Sequence, residues 1–210
     1  MLNEKFKIPQ HVKIIAVSKL QPIEKINQLI ESGHLVFGEN YIKEAIEKID
    51  RIKNNKIEWH FIGSLQKNKV KQVVGAFDYI HSVDSIALAE KIQQIAGEKN
   101  IIQKILIQVN VANELSKTGV HISDLEELIT EIKKLNHIQI VGLMTMPPLT
   151  ENPESVRSYF RELRLLGEKF FSYPIEYSMG TSHDYEIAVG EGATMIRLGT
   201  ILFGERPRKG

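Results

Sequence analysis

KILIQVNV (residues 104–111) and IQIVGLM (138–144) are near-continuous apolar runs, and SDLEELITEIKKL (123–135) lies between them. Runs of this length without polar alternation suit parallel strands covered on both faces. In the intervening segment Ser123 and Glu126 have capping-box spacing, while Leu125, Leu128, Ile129, Ile132 and Leu135 fall on one stripe of a helix. Strand, helix, strand is therefore the predicted unit. Its right-handed crossover lays the second strand beside the first.

The same unit recurs along the chain. KIIAVS (13–18), HLVFG (34–38), EWHFIG (58–63), FDYIHS (77–82), IEYSMG (175–180) and TMIRLG (194–199) bring the strand-like runs to eight. Helical patterns fill most gaps: from Pro22 to near Gly33, over 40–52, over 66–74 as a shorter piece, over 85–97, and from Asn152-Pro153 through Val156, Phe160, Leu163 and Phe170. Eight such repeats predict an α/β fold, a single (β/α)8 TIM barrel over residues 1–210. An open doubly wound sheet would want a glycine-rich first turn, and none follows Ser18.

Composition narrows the function. Lys+Arg 27 against Asp+Glu 26 leaves a net charge of +1, which argues against a nucleic-acid or membrane surface as the main partner and for a small ligand. The absence of cysteine removes thiol nucleophiles and thiolate metal sites. MLNEKFKIPQ at the start has no signal-peptide core, and no run approaches the roughly 18 apolar residues of a membrane helix, so the expected location is the cytoplasm. Lys67, Lys69 and Lys71 read as a solvated helix face and Trp59 as core.

In barrels of this type chemistry sits at the C-terminal ends of the strands. Lys19 stands at the first such end; a lysine amine in a partly dry pocket becomes nucleophilic toward carbonyls, although a strand-end lysine can equally reach out to solvent. Gly180, Ser182, Gly199 and Thr200 follow the seventh and eighth strands, where barrels often cradle a phosphate; the alternative is that the glycines only turn the chain and Ser182 caps a helix near His183. Arg197 could equally be a barrel-interior ion pair. His60 and His81, placed near strand ends, are structural or acid/base groups, with no metal-ligand spacing between them. Asp184 and Glu186 would repel a phosphate if they faced it, and are expected to point elsewhere.

Longer motifs then come together: AVSK (16–19), FGENY (37–41), WHFIGSLQKNK (59–69), HSVDS (81–85), QVNVANELSKTG (108–119), GLMTM (142–146), SMGTSHDYEIAVGEGATMIRLGT (178–200) and LFGER (202–206). In these the chain resembles the pyridoxal phosphate homeostasis protein family, similar in fold to the barrel half of alanine racemase. The resemblance implies pyridoxal 5′-phosphate (PLP) held as an aldimine of Lys19. It implies further that Arg197 faces the pyridine nitrogen, that Ser182, Gly199 and Thr200 hold the phosphate, and that Asn40 flanks the ring or its phenolic oxygen, with Met179 and Ile196 packing around the site. The chain departs from the family at its start, where residues 1–12 precede the first strand and Pro9 breaks any helix.

Two functions fit such a site. One is a PLP-dependent racemase-type enzyme; the other is a non-catalytic PLP binder that stores, buffers or delivers the cofactor, with apo PLP enzymes as possible recipients. Racemisation needs a base on each face of the substrate, and alanine racemase takes one from a second, all-β domain. No such segment follows LFGERPRKG (202–210), so the expectation is a monomeric carrier. A barrel aldolase using Lys19 is a weaker alternative.

Overall fold

A computed structural model of the chain describes residues 2–112 and 118–204. Residues 113–117 of the QVNVANELSKTG motif, and Glu205 and Arg206 of LFGER, lie outside the described residues. Eight strands, β1 (Lys13–Val17), β2 (Val36–Glu39), β3 (Glu58–Phe61), β4 (Tyr79–Val83), β5 (Gln103–Gln108), β6 (Ile138–Met144), β7 (Glu176–Thr181) and β8 (Met195–Leu198), pair in sequence order and close into a barrel. All pairings are parallel, including the closing pair, in which Ile15 faces Arg197 across β1 and β8.

Helices cover the outside: α1 (Leu2–Lys5), α2 (Ile23–Glu31), α3 (Ile42–Ile52), α4 (Val70–Val73), α5 (Ile86–Glu98), α6 (Leu125–Ile132), α7 (Arg157–Phe170), α8 (Tyr185–Gly190) and α9 (Thr200–Phe203). The period-two alternation of each strand separates two cores. Outward residues such as Ile14, Ala16, Phe37, Phe61, Ile80 and Ile196 meet the helix stripes in one large cluster, to which α6 contributes Leu125, Leu128, Ile129 and Ile132. Trp59 belongs to that layer, 5.6 Å from the Phe37 ring. Inward residues Ile15, Tyr79, Leu106, Met144 and Met195 form a smaller apolar plug inside the barrel.

Local chemistry departs from expectation in three places. The Ser123–Glu126 capping box does not form, because a 3-10 turn over Ile122–Asp124 precedes α6 and its own backbone bonds satisfy the entering amides; Ser123 Oγ instead donates to Asp124 at 2.8 Å. Asn152 does cap as expected, its Oδ1 accepting from the Glu154 amide at 3.1 Å at the head of the turn that leads into α7. One helical turn, α1, precedes Pro9 where none was expected. Among the described residues no helix is long and apolar enough to cross a membrane.

Several strands stop one or two residues before their apolar runs do, and the released residues form the mouth. The third run ends at Gly63, but β3 ends at Phe61. A Cβ on Gly63 would lie 2.2 Å from the backbone oxygen of Asn40, so the rims after β2 and β3 can approach only through glycine. Gly63→Ala is therefore expected to cost roughly 1–3 kcal/mol, the usual range for overpacking, read as a lower denaturant midpoint; an unchanged midpoint would contradict the close approach.

Candidate functional site

The C-terminal rim of the barrel surrounds a pocket of about 520 Å³, and Lys19, Asn40, Ser182, Arg197, Gly199 and Thr200 all line it. Six positions spread over 182 residues of sequence are thus brought to one cavity by strand closure, since β1 and β8 are neighbours in the ring. Val17, Ile62, Met146 and Leu149 supply its apolar wall.

The loop that carries Lys19 is clamped from outside the barrel. Glu39 and Ser18 point outward, behind the sheet, where Glu39 Oε1 accepts from Ser18 Oγ and from Lys48 Nζ of α3, each at 2.7 Å. Lys48 also donates to the Ser18 carbonyl at 2.6 Å and reaches Glu44, which in turn accepts from the Leu20 amide. Burial pushes the Glu39 carboxyl upward, and the Lys48 and Ser18 contacts pull it back. Leu20 sits at φ 60, a left-handed conformation that costs a non-glycine residue roughly 1–2 kcal/mol. Strain directly after Lys19 persists because these bonds on both sides of it fix the backbone.

Arg197 lies on the pocket floor, 4% exposed. Its Nη1 donates to the carbonyl and the hydroxyl of Ser178, each at 2.7 Å, and its Nη2 to the Thr145 carbonyl at 2.9 Å. Among the described residues no carboxylate lies within salt-bridge distance of it, so Arg197 does not form the ion pair that was the alternative reading. Burial lowers its pKa to about 10, with Asp184 opposing, which leaves it charged near neutrality. Ser178 and Thr145 are the partners that motif reading passed over: both sat among the strand-end residues, with nothing to mark them as acceptors for an arginine.

At the opposite wall Ser182 Oγ accepts from the Gly199 amide at 3.0 Å and, at 3.5 Å, from the Ile201 amide. Ser182 therefore bridges the β7 and β8 rims and does not cap α8; Asp184 holds the N-cap position of that helix without a side-chain cap bond, its Oδ1 accepting instead from the Thr181 amide at 2.6 Å. Gly180 lies within β7 and does not line this pocket; it has φ +90, and an added Cβ would be only 2.5 Å from Ala188 Cβ. Asn40 Oδ1 is buried and makes no hydrogen bond among the described residues, so it has unused accepting capacity at the pocket wall.

One expectation fails on strand periodicity. Met179 and Ile196 are fully buried in the layer between sheet and helices, because they alternate with the inward-facing Ser178, Met195 and Arg197. His60 and His81 lie near the ends of β3 and β4 as expected, with their side chains turned into the barrel. There His60 stacks on Tyr79, ring centroids 4.5 Å apart, and contacts His81 at 2.8 Å.

Comparison with known proteins places this geometry. Residues 3–207 match the family described as alanine racemase, N-terminal domain. A pyridoxal phosphate homeostasis protein of Aquifex aeolicus is 46% identical over 198 residues, covering 92% of this chain and 87% of that protein. The structure of PipY of Synechococcus elongatus with PLP bound superposes at a TM-score of 0.88 with 37% identity, covering 97% of both chains. Alanine racemase of Clostridium difficile, at 18% identity and a TM-score of 0.78, shares the fold over 99% of this chain and 56% of its own.

The buried histidines make stability depend on pH. His60 and His81, like the partly buried His34, titrate below the usual 6.5, foremost because burial disfavours the charged ring. The unfolded chain takes up protons as pH falls below that value and the folded chain does not, so stability is complete above it and declines below it. Burial would raise the Glu58 carboxyl, but the His60 and Lys13 bonds outweigh it and hold it at about 2, adding a further loss from 4.5 downward. The denaturant midpoint is expected to fall between about pH 7.5 and about pH 5, by up to roughly 1.4 kcal/mol per pH unit for each buried histidine, and less steeply in His81→Gln. A midpoint constant over that interval would contradict a neutral buried pair.

Proposed function

This chain belongs to the pyridoxal phosphate homeostasis protein family, and we propose that it binds PLP at the barrel mouth through a covalent bond to Lys19 and serves cytoplasmic PLP homeostasis by storage, buffering or delivery to apo-enzymes. Arg197 carries the proposal. A guanidinium held inside a protein on neutral acceptors alone is costly by several kcal/mol, and such a charge fits a floor built to meet a ligand atom.

The donor set fits the group. PLP when bound would supply an electrophilic aldehyde carbon and a conjugated ring, both toward Lys19. Lys19 would hold the group through Nζ, whose addition to that carbon would release one water. Arg197, a donor only, would offer N–H to the ring nitrogen and so favour the unprotonated pyridine. The Asn40 amide, its Oδ1 without a hydrogen-bond partner among the described residues, would flank the ring on its phenolic side. The Ser182 hydroxyl and the Thr200 amide would offer the phosphate neutral donors on the β7 and β8 rims, with the Gly199 amide, bonded to Ser182 Oγ, fixing that hydroxyl in place. A pocket of about 520 Å³ is ample for one such molecule.

Storage is favoured over turnover by the same arginine. A pyridine nitrogen kept unprotonated is a weak electron sink, which gives little support to the carbanion that racemisation requires. The Aquifex aeolicus relative is named for homeostasis and not for an enzymatic reaction.

Reconstitution with PLP is expected to give a yellow protein whose cofactor is retained after borohydride reduction and gel filtration; Lys19→Ala should lose the trapped cofactor, and covalent retention in that variant would assign the bond to another lysine. Incubation with L- and D-alanine in deuterated water should leave the α-proton almost unexchanged. Rapid exchange in either enantiomer would restore the racemase reading.

A further inference from the structure

Beneath the pocket, one chain of hydrogen bonds threads the barrel from its N-terminal end to Arg197. Lys13 Nζ donates to Glu58 Oε1 at 2.6 Å, Glu58 Oε1 meets His60 Nε2 at 2.7 Å, His60 Nδ1 meets His81 Nε2 at 2.8 Å, and His81 Nδ1 meets Ser178 Oγ at 3.0 Å. Arg197 Nη1 donates to that same hydroxyl at 2.7 Å. The members come from β1, β3, β4, β7 and β8, and His60, His81 and Ser178 are each 0% exposed.

The two ends fix the direction of everything between them. A carboxylate only accepts and a guanidinium only donates. Glu58 therefore requires a hydrogen on His60 Nε2, so a neutral His60 accepts at Nδ1. His81 must then donate from Nε2 and accept at Nδ1, and the Ser178 hydroxyl must give its hydrogen to His81 while its lone pair receives Arg197. With both rings neutral this is the one arrangement that makes every bond. A single added proton, on His60 Nδ1, reverses it: His60 donates to His81 Nε2, His81 Nδ1–H turns to Ser178, and the Ser178 hydrogen is released beside the arginine.

We propose that His60, His81 and Ser178 are positioning residues, forming a one-way hydrogen-bond string that orients Arg197 on the pocket floor and transmits the protonation state of the histidine pair to it. The proposal rests on the PLP reading above for its consequence, though not for the string itself. The groups facing the pair are balanced. Glu58 on β3 and Asp78 just before β4 favour a proton on His60, whereas Lys13 on β1 disfavours it; Tyr79 on β4 stacks on the ring, with Lys13 and Lys104 of β5 each 5.1 Å from the tyrosine centroid. His81 faces His60, Arg197 and Lys13, all of which oppose a charge there, and Glu176 of β7 acts on the pair only through Lys13. Burial adds to that opposition, so the neutral string prevails at neutral pH and reverses in acid.

Two measurements test this. In ligand-free protein carrying 15N-labelled histidine, both His60 and His81 are expected to show the Nε2–H tautomer at about pH 8; an Nδ1–H tautomer in either ring overturns the string, whether or not PLP binds. In PLP-loaded protein, His81→Phe and Ser178→Ala are expected to shift the midpoint of the pH-dependent absorbance change by about half a unit or more and to weaken PLP about tenfold, with Ser178→Thr and His81→Gln returning both toward wild type. Folded variants with wild-type spectrum, pH profile and affinity overturn the coupling to Arg197. Failure of wild-type protein to take up PLP would instead overturn the functional reading and leave the tautomer result to decide the string.

Discussion

A guanidinium sealed inside a barrel constrains everything around it. Arg197 is nearly inaccessible and among the described residues has no carboxylate partner, so its charge is carried by the Ser178 and Thr145 carbonyls and one hydroxyl. Desolvating a charge on such terms costs several kcal/mol. Those three acceptors offset the cost in an interior otherwise filled by the apolar plug of Ile15, Tyr79, Leu106, Met144 and Met195. The arginine is consequently a preorganised donor, as the proposed contact with a ring nitrogen requires.

The lysine is managed by different means. Lys19 belongs to a loop whose neighbours, Ser18 and Leu20, are tied to the Glu39–Lys48–Glu44 cluster behind the sheet. Holding the backbone from the outer face leaves the pocket side of the loop for the ligand. Inner string and outer clamp share no residue, and the barrel wall separates them. Arginine orientation and lysine placement can then be altered independently, which suits the proposed storage and delivery role.

Much of this was legible in the sequence for physical reasons. A βαβ repeat is written in apolar periodicity, and closure of eight repeats follows from the handedness of the crossover, so Lys19 and Arg197 could be brought together before any coordinates. Strand-end position and the family resemblance point likewise to Asn40, Ser182, Gly199 and Thr200, which line the mouth. What escaped was what depends on which way a single side chain turns. The apolar run to Gly63 outlasts β3 by two residues, and nearness to a strand end does not say that His60 points into the barrel interior. Met179 and Ile196 were assigned to the pocket although a period of two sends them to the opposite face from Ser178 and Arg197. Lys48, four residues after Glu44 on a helix, looks in sequence like one half of a solvated pair; only the fold shows that it is buried against Glu39. Ser178 and Thr145 accept from Arg197 partly through backbone oxygens, for which no residue type is a signal.

A crystal structure of the protein grown with PLP tests the central assignment most directly. Continuous density is expected from Lys19 Nζ to the aldehyde carbon, with the ring nitrogen within hydrogen-bond distance of the Arg197 guanidinium and the phosphate between the β7 and β8 rims. A ring bound elsewhere, or seated in the pocket with Lys19 unbonded and Arg197 turned from its nitrogen, would contradict it.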